Sequence, residues 1–162
     1  MGTMIGNYKE LAKLLNSLIE LDYDAIAAYR SAIEKLGNAE DQAALRGFMA
    51  DHERHVVDLR PFVERFGETA ADGTNAMVIL TKGKVVIAGL MGDRAILEAM
   101  KSNEDETNKR YEKATMRTDL PAELLGILQK NLSDERRHRA YIVQRLGERA
   151  NLSSSQQEQW RH

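Results

Sequence analysis

From Tyr8 to Phe66 the chain carries one proline and two glycines, and its apolar residues recur every three or four positions. That spacing is the mark of amphipathic helix. The first stripe is Leu11, Leu14, Leu15, Leu18, Ile26, Tyr29, Ile33 and Leu36. Gly37 then reads as a stop and Asn38 as the N-cap of a second helix, with Glu40 and Asp41 in its first turn. The second stripe is Leu45, Phe48, Met49, Val56, Leu59, Phe62, Val63 and Phe66. Pro61 lies inside it and is expected to kink or end the helix there.

Residues 67–92 break the pattern with five glycines and the polar run ETAADGTN. Within them, MVILTKGKVVIAGL fits either a hairpin turning at TKGK or a short buried helix after Gly83. The helix is the better reading, because a lone two-stranded hairpin has no sheet to join. A third helix is expected from Asp93 as N-cap, with Ile96, Leu97, Met100, Tyr111 and Ala114 on its stripe. Asp119 and Pro121 mark the start of a fourth, carrying Leu124, Ile127, Leu128, Leu132, Ile142 and Leu146 and ending at Gly147. Residues 1–150 then form one bundle, and residues 151–162 a polar tail, mobile or holding one capped turn from Ser153. Short links make helices one and two, and three and four, antiparallel pairs. The long link can set helix three parallel to helix two. The expected fold is all-α: a four-helix bundle of two antiparallel hairpins joined by a long crossover, the ferritin-like connectivity.

Composition narrows the chemistry. The 162 residues include 23 Lys and Arg against 25 Asp and Glu, four His and no Cys. The absence of cysteine removes disulfides, thiolate metal sites, iron–sulfur clusters and cysteine nucleophiles. The balanced charge gives no field for nucleic acid. The basic clusters Lys109–Arg110 and Arg136, Arg137, Arg139 are interspersed with acids. No apolar run approaches the roughly 20 residues of a membrane span, and no signal peptide is legible. The expected setting is cytoplasmic, with neither nucleic acid nor membrane as partner. P-loop, GxGxxG and GxSxG patterns are missing too.

On helical wheels, six ionisable residues fall on the apolar faces. Asp22 lies between Leu18 and Ile26, and His52 and His55 continue the line from Phe48 to Leu59. Glu104 lies between Met100 and Tyr111, and Glu135 and His138 between Leu128 and Ile142. Asp51, Glu53, Arg54, Arg136 and Arg137 are read as pointing away. Each stripe is thus interrupted near its middle. A buried carboxylate without a partner is costly, so these groups require protons, mutual pairing or a cation. Imidazole with carboxylate suits iron, manganese or zinc better than calcium. The spacing repeats: Asp22 precedes Tyr29 by seven residues and His52 and His55 by 30 and 33, while Glu104 precedes Tyr111 by seven and Glu135 and His138 by 31 and 34. Two matching hairpins sharing one pseudo-two-fold site follow from that repeat.

The blocks LIELDYDAIAAYRSAIEKL, FMADHERHVVDLR, ILEAMKSNEDETNKRYEKA and LSDERRHRAYI resemble a family of small bacterial ferritin-like proteins of unassigned function, over residues 8–147. More distantly, the layout is similar to rubrerythrin and bacterioferritin. Those carry single acids on helices one and three and Glu-x-x-His on two and four, holding two irons. The resemblance implies that Asp22 and Glu104 are the single acids, Glu135 with His138 one Glu-x-x-His, and His55 the histidine of the other. His52 stands where a carboxylate is expected, and Asp22 is shorter than the usual glutamate. A di-iron site, a single ion, a mixed site and zinc all stay open.

The reading that follows is a metal-binding protein, iron first and manganese or zinc next. It would have a redox or oxidative- or iron-stress role, with oxygen or peroxide as partner and an external electron donor. Asp22, His52, His55, Glu104, Glu135 and His138 would hold the metal, and Tyr29 or Tyr111 would hydrogen-bond a ligand. The alternative is a non-catalytic helical scaffold or stress-response module whose buried polar cluster closes without metal. Subunit number stays open between a homodimer, a monomer and a cage.

Overall fold

The computed structural model describes the backbone of residues 2–74, 87 and 89–159, and the side chains of residues 7–74, 87 and 89–150. Four helices account for nearly all of it: α1 (Gly2–Lys35), α2 (Ala39–Arg65), α3 (Asp93–Thr115) and α4 (Ala122–Gln159). No strand occurs among the described residues.

The turn between α1 and α2 forms as the sequence predicts. Asn38 is extended and its side chain accepts the Asp41 N–H, the usual N-cap geometry. Gln42 donates to the carbonyl of Leu36 at 2.6 Å, satisfying one of the carbonyls left over at the end of α1. Two expected boundaries shift. The second helix does not end at Pro61 but runs on through Arg65. Val57, whose carbonyl loses its partner to the proline ring, is among the most exposed apolar residues, so water can serve it. The fourth helix does not stop at Gly147 but continues to Gln159 across the expected tail boundary. Gly147 does not adopt the positive φ of a helix stop. Arg145 and Arg149, on either side, bind Asp41, and Arg149 also reaches Asp93.

Asp93 is not the N-cap of α3; that position belongs to Gly92, which has no side chain to cap with. The Asp93 carboxylate instead accepts the backbone N–H groups of Gly37 and Asn38 at 2.8 and 3.0 Å. It caps its neighbour's turn and so fastens the start of α3 to the α1–α2 corner. At the other end of the molecule the Tyr8 ring stacks on Phe66, centroids 5.1 Å apart. Asn16 holds Thr69 and Ala71 against α1. The chain therefore leaves α2 at one end of the bundle and starts α3 at the other. Tyr29 meeting Glu104 and Asp22 meeting Tyr111 make α3 antiparallel to α1, hence parallel to α2. The long crossover is real. The short helix expected after Gly83 falls largely on residues 84–86 and 88, outside the described residues, except that Ile87 is helical and buried.

The core is divided. One apolar cluster gathers Leu15, Leu18, Leu59, Phe62, Leu124 and Leu128. A second gathers Ile33, Leu36, Leu45, Ile96, Leu97 and Ile142. Between them lies a layer of buried polar residues to which all four helices contribute. No helix among the described residues is long and apolar enough to cross a membrane.

Candidate metal centre

The layer between the two clusters holds Asp22, His52, His55, Glu104, Glu135 and His138, all fully buried. The six residues that interrupt the sequence stripes are thus brought to one place. Asp22 Oδ1 accepts from Nδ1 of His52 at 2.8 Å and from Nδ1 of His55 at 3.2 Å. Glu135 Oε1 is 3.4 Å from each of those nitrogens. On the other side, Glu104 Oε1 is 3.5 Å from His52 Nε2 and 3.6 Å from His138 Nδ1. Glu135 Oε2 is 3.6 Å from the same His138 nitrogen. Two overlapping groups of donors result: Asp22, His52, His55 and Glu135, then His52, Glu104, Glu135 and His138.

The tyrosines cross between hairpins. Tyr111 donates to Asp22 Oδ2 at 2.5 Å and Tyr29 donates to Glu104 Oε1. Each hydroxyl fixes the carboxylate of the opposite half, as the seven-residue repeat on antiparallel helices requires. Thr107 lies 3.1 Å from both Glu104 Oε2 and Glu135 Oε2. Asn108 donates to the main-chain carbonyls of Glu104 and Glu135, locking α3 to α4 at this level.

Asp51, Arg54 and Arg137, read from the wheels as pointing away, take part, and so does Asp134. His55 Nε2 is 3.0 Å from Asp134 and His138 Nε2 is 2.8 Å from Asp51. Arg54 pairs with both acids, and so does Arg137. These four residues close the α2–α4 face of the layer. They belong to a repeated pattern, Asp51-His-Glu-Arg-His55 and Asp134-Glu-Arg-Arg-His138, which is a signal in the sequence itself.

Charges settle in pairs. Burial pushes the Asp22 carboxyl up, but hydrogen bonds from His52 and His55 outweigh it and leave it below its ordinary value. Glu104 behaves alike, opposed by burial and lowered by His138 and His52. Burial opposes charging of the histidines too. Glu135, Asp22 and Glu104 nevertheless hold His52 well above its ordinary range, and Asp22 and Glu135 raise His55 to about 9. Glu104 and Glu135 raise His138. Burial and the adjacent carboxylates push both tyrosines well up, so the hydroxyls stay protonated and donate.

Hydrogen bonds do not use every donor. His52 Nε2, His138 Nδ1 and Glu135 Oε1 are buried without a hydrogen-bond partner. Their 3.4–3.6 Å separations from neighbouring donors exceed hydrogen-bond range. They match the spacing of about 3.4 Å between adjacent ligands on a four-coordinate ion with arms of ~2.0–2.1 Å. His55 and His138 also present Nδ1 inward while Nε2 meets an outer carboxylate, the arrangement that orients metal-binding imidazoles. The donor set and its unpartnered atoms therefore fit a metal ion.

The molecule is thus an all-α bundle of two paired hairpins with a buried acid–histidine layer able to hold a metal. The chain belongs to the family described as a domain of unknown function (DUF2383), whose model matches residues 10–117. That match spans Asp22, His52, His55 and Glu104; Glu135 and His138 lie beyond it. No curated protein and no solved structure matches the chain.

Proposed function

We propose that this chain is a metal-binding protein of ferritin-like type, with iron as the ion and redox chemistry in an oxidative- or iron-stress setting as its role. The observation that carries the reading is the set of three unpartnered donor atoms, on His52, His138 and Glu135, buried within one polar layer. Leaving such atoms unpaired costs about 1–3 kcal/mol each, which a bound cation would offset. Asp22, His52, His55, Glu104, Glu135 and His138 would hold the metal. A nitrogen–oxygen set without thiolate suits iron, and also manganese or zinc. Bound iron would supply one-electron chemistry toward oxygen or peroxide.

The chain's own residues would do the rest. Tyr29 and Tyr111 fix the orientation of Glu104 and Asp22. Asp134 and Asp51 orient His55 and His138. The apolar clusters above and below exclude water from the layer. Electrons would come from an external donor, since the chain has no cysteine to carry a redox centre of its own. Metal analysis of protein purified without chelator tests the proposal. Near-stoichiometric iron, manganese or zinc is expected; none of the three, in well-folded protein, would contradict it.

One observation favours a second reading, a scaffold that needs no metal. Asp22 already meets Nδ1 of both His52 and His55, and Asp134 and Asp51 meet Nε2 of His55 and His138. A scaffold would keep or gain stability when His55 and Glu135 together become leucine. A metal centre would lose its metal-dependent stabilisation in that variant.

A further inference from the structure

The three buried histidines are not equivalent. His55 directs Nε2 out of the layer to Asp134, and His138 directs Nε2 out to Asp51, so each has one nitrogen for the interior. His52 meets no such outer acid. Its Nδ1 faces Asp22 and Glu135 Oε1, at 2.8 and 3.4 Å. Its Nε2 faces Glu104 at 3.5 Å and has no hydrogen-bond partner. The ring stands at the middle of the layer, with its centroid 5.4 Å from the His55 ring and 5.2 Å from the His138 ring. It belongs to both donor groups, and so does Glu135.

We infer that His52 bridges two cations through its two ring nitrogens. One cation would lie on the Asp22–His55 side and the other on the Glu104–His138 side, so the number of ions the chain holds depends on this residue. The inference rests on the metal-binding reading above and sharpens it. Each cation would take the place of the hydrogen on one ring nitrogen, and those protons would leave to solvent. Charge supports the bridge. Asp22, Glu104 and Glu135 supply three negative charges, and a doubly ligated imidazole supplies a fourth. Together they balance two divalent ions in a layer sealed from water. The outer acids Asp51 and Asp134 are matched separately by Arg54 and Arg137.

The test uses the full chain loaded with Zn2+, which is diamagnetic, and 15N-labelled at histidine. Long-range proton–nitrogen correlation reads whether each ring nitrogen keeps a hydrogen, and metal analysis gives the stoichiometry. The expected result is two Zn2+ per chain, with no hydrogen on either nitrogen of one ring. The rings of His55 and His138 keep theirs at Nε2, and His162, the fourth histidine of the chain, adds a signal of its own. His52→Asn identifies the bridging ring by its absent signals and should weaken the second equivalent of Zn2+ by about 10-fold or more. Two Zn2+ with an N–H retained on every ring, or a single Zn2+, would overturn the bridge and leave the metal-binding reading standing. A wild-type chain that takes up neither Zn2+ nor Fe2+ would overturn both. The correlation spectrum is recorded on wild-type protein, so the outcome does not depend on the variant folding.

Discussion

At the scale of single residues, the layer is held by opposed charges that burial makes both strong and costly. Removing one partner of such a pair leaves the other stranded, so Asp22→Asn should destabilise the metal-free protein by about 3–5 kcal/mol. Chemical denaturation measures this; a loss too small to resolve would mean that Asp22 does not carry the pairing seen with His52 and His55. The outer acids act through the histidines they touch. Asp134→Asn or Asp51→Asn should weaken metal affinity about 10–100-fold while leaving the helices intact, as calorimetric titration and circular dichroism would show. The titration of the histidines gives a third expectation. His55 is raised to about 9 in the folded state, above its unfolded value of about 6.5. It therefore contributes stability that is fully present below the unfolded value and is lost as pH rises through the folded one. The melting temperature of metal-free protein should fall over that interval. Metal uptake displaces the same protons, so affinity should rise with pH across it. Parallel trends in the two would contradict these charge states.

At the scale of helices, the central residues are legible because each breaks an apolar stripe on its own helix. Asp22, the two histidines of α2, Glu104, Glu135 and His138 can be picked out one helix at a time. Asp51 and Asp134 cannot. Each lies on the flank of its helix, and what it touches is set by α2 and α4 packing together. The repeated Asp-x-x-Arg-His is the available clue. Capping shows the same division. Asn38 is legible as a cap, since it bonds within its own turn. Asp93 is not, because it caps Gly37 and Asn38, which are distant in the chain. Asn38→Ala should cost about 1 kcal/mol. Asp93→Ala should cost at least as much, since it strands two backbone N–H groups and leaves Arg149 with Asp41 alone of its two acids. Equilibrium unfolding of both variants checks this. An Asp93 variant as stable as wild type would mean that α3 is not fastened through that contact. Gly147 and Pro61 look like stops on composition alone. The arginines around Gly147, and the exposed setting of Val57 before Pro61, let both helices continue.

At the scale of the whole molecule, the two apolar clusters bind the bundle together and the polar layer divides them. Such a layer weakens a core unless something fills its unpaired donors. Metal should therefore stabilise the entire bundle, by about 2.7 kcal/mol at a free concentration roughly one hundred times the dissociation constant. The crossover sets two hairpins side by side with matching residues, and the halves differ where it matters: His52 against Glu135, and Asp22 against Glu104. That asymmetry gives the two donor groups different ligands. The most direct test of a metal centre here is anomalous diffraction, at the edges of iron, manganese and zinc, from crystals of protein purified without chelator. Anomalous peaks are expected within the layer, at bonding distance from His52 and Glu135. Their absence, with the six side chains still paired as described, would contradict a metal centre.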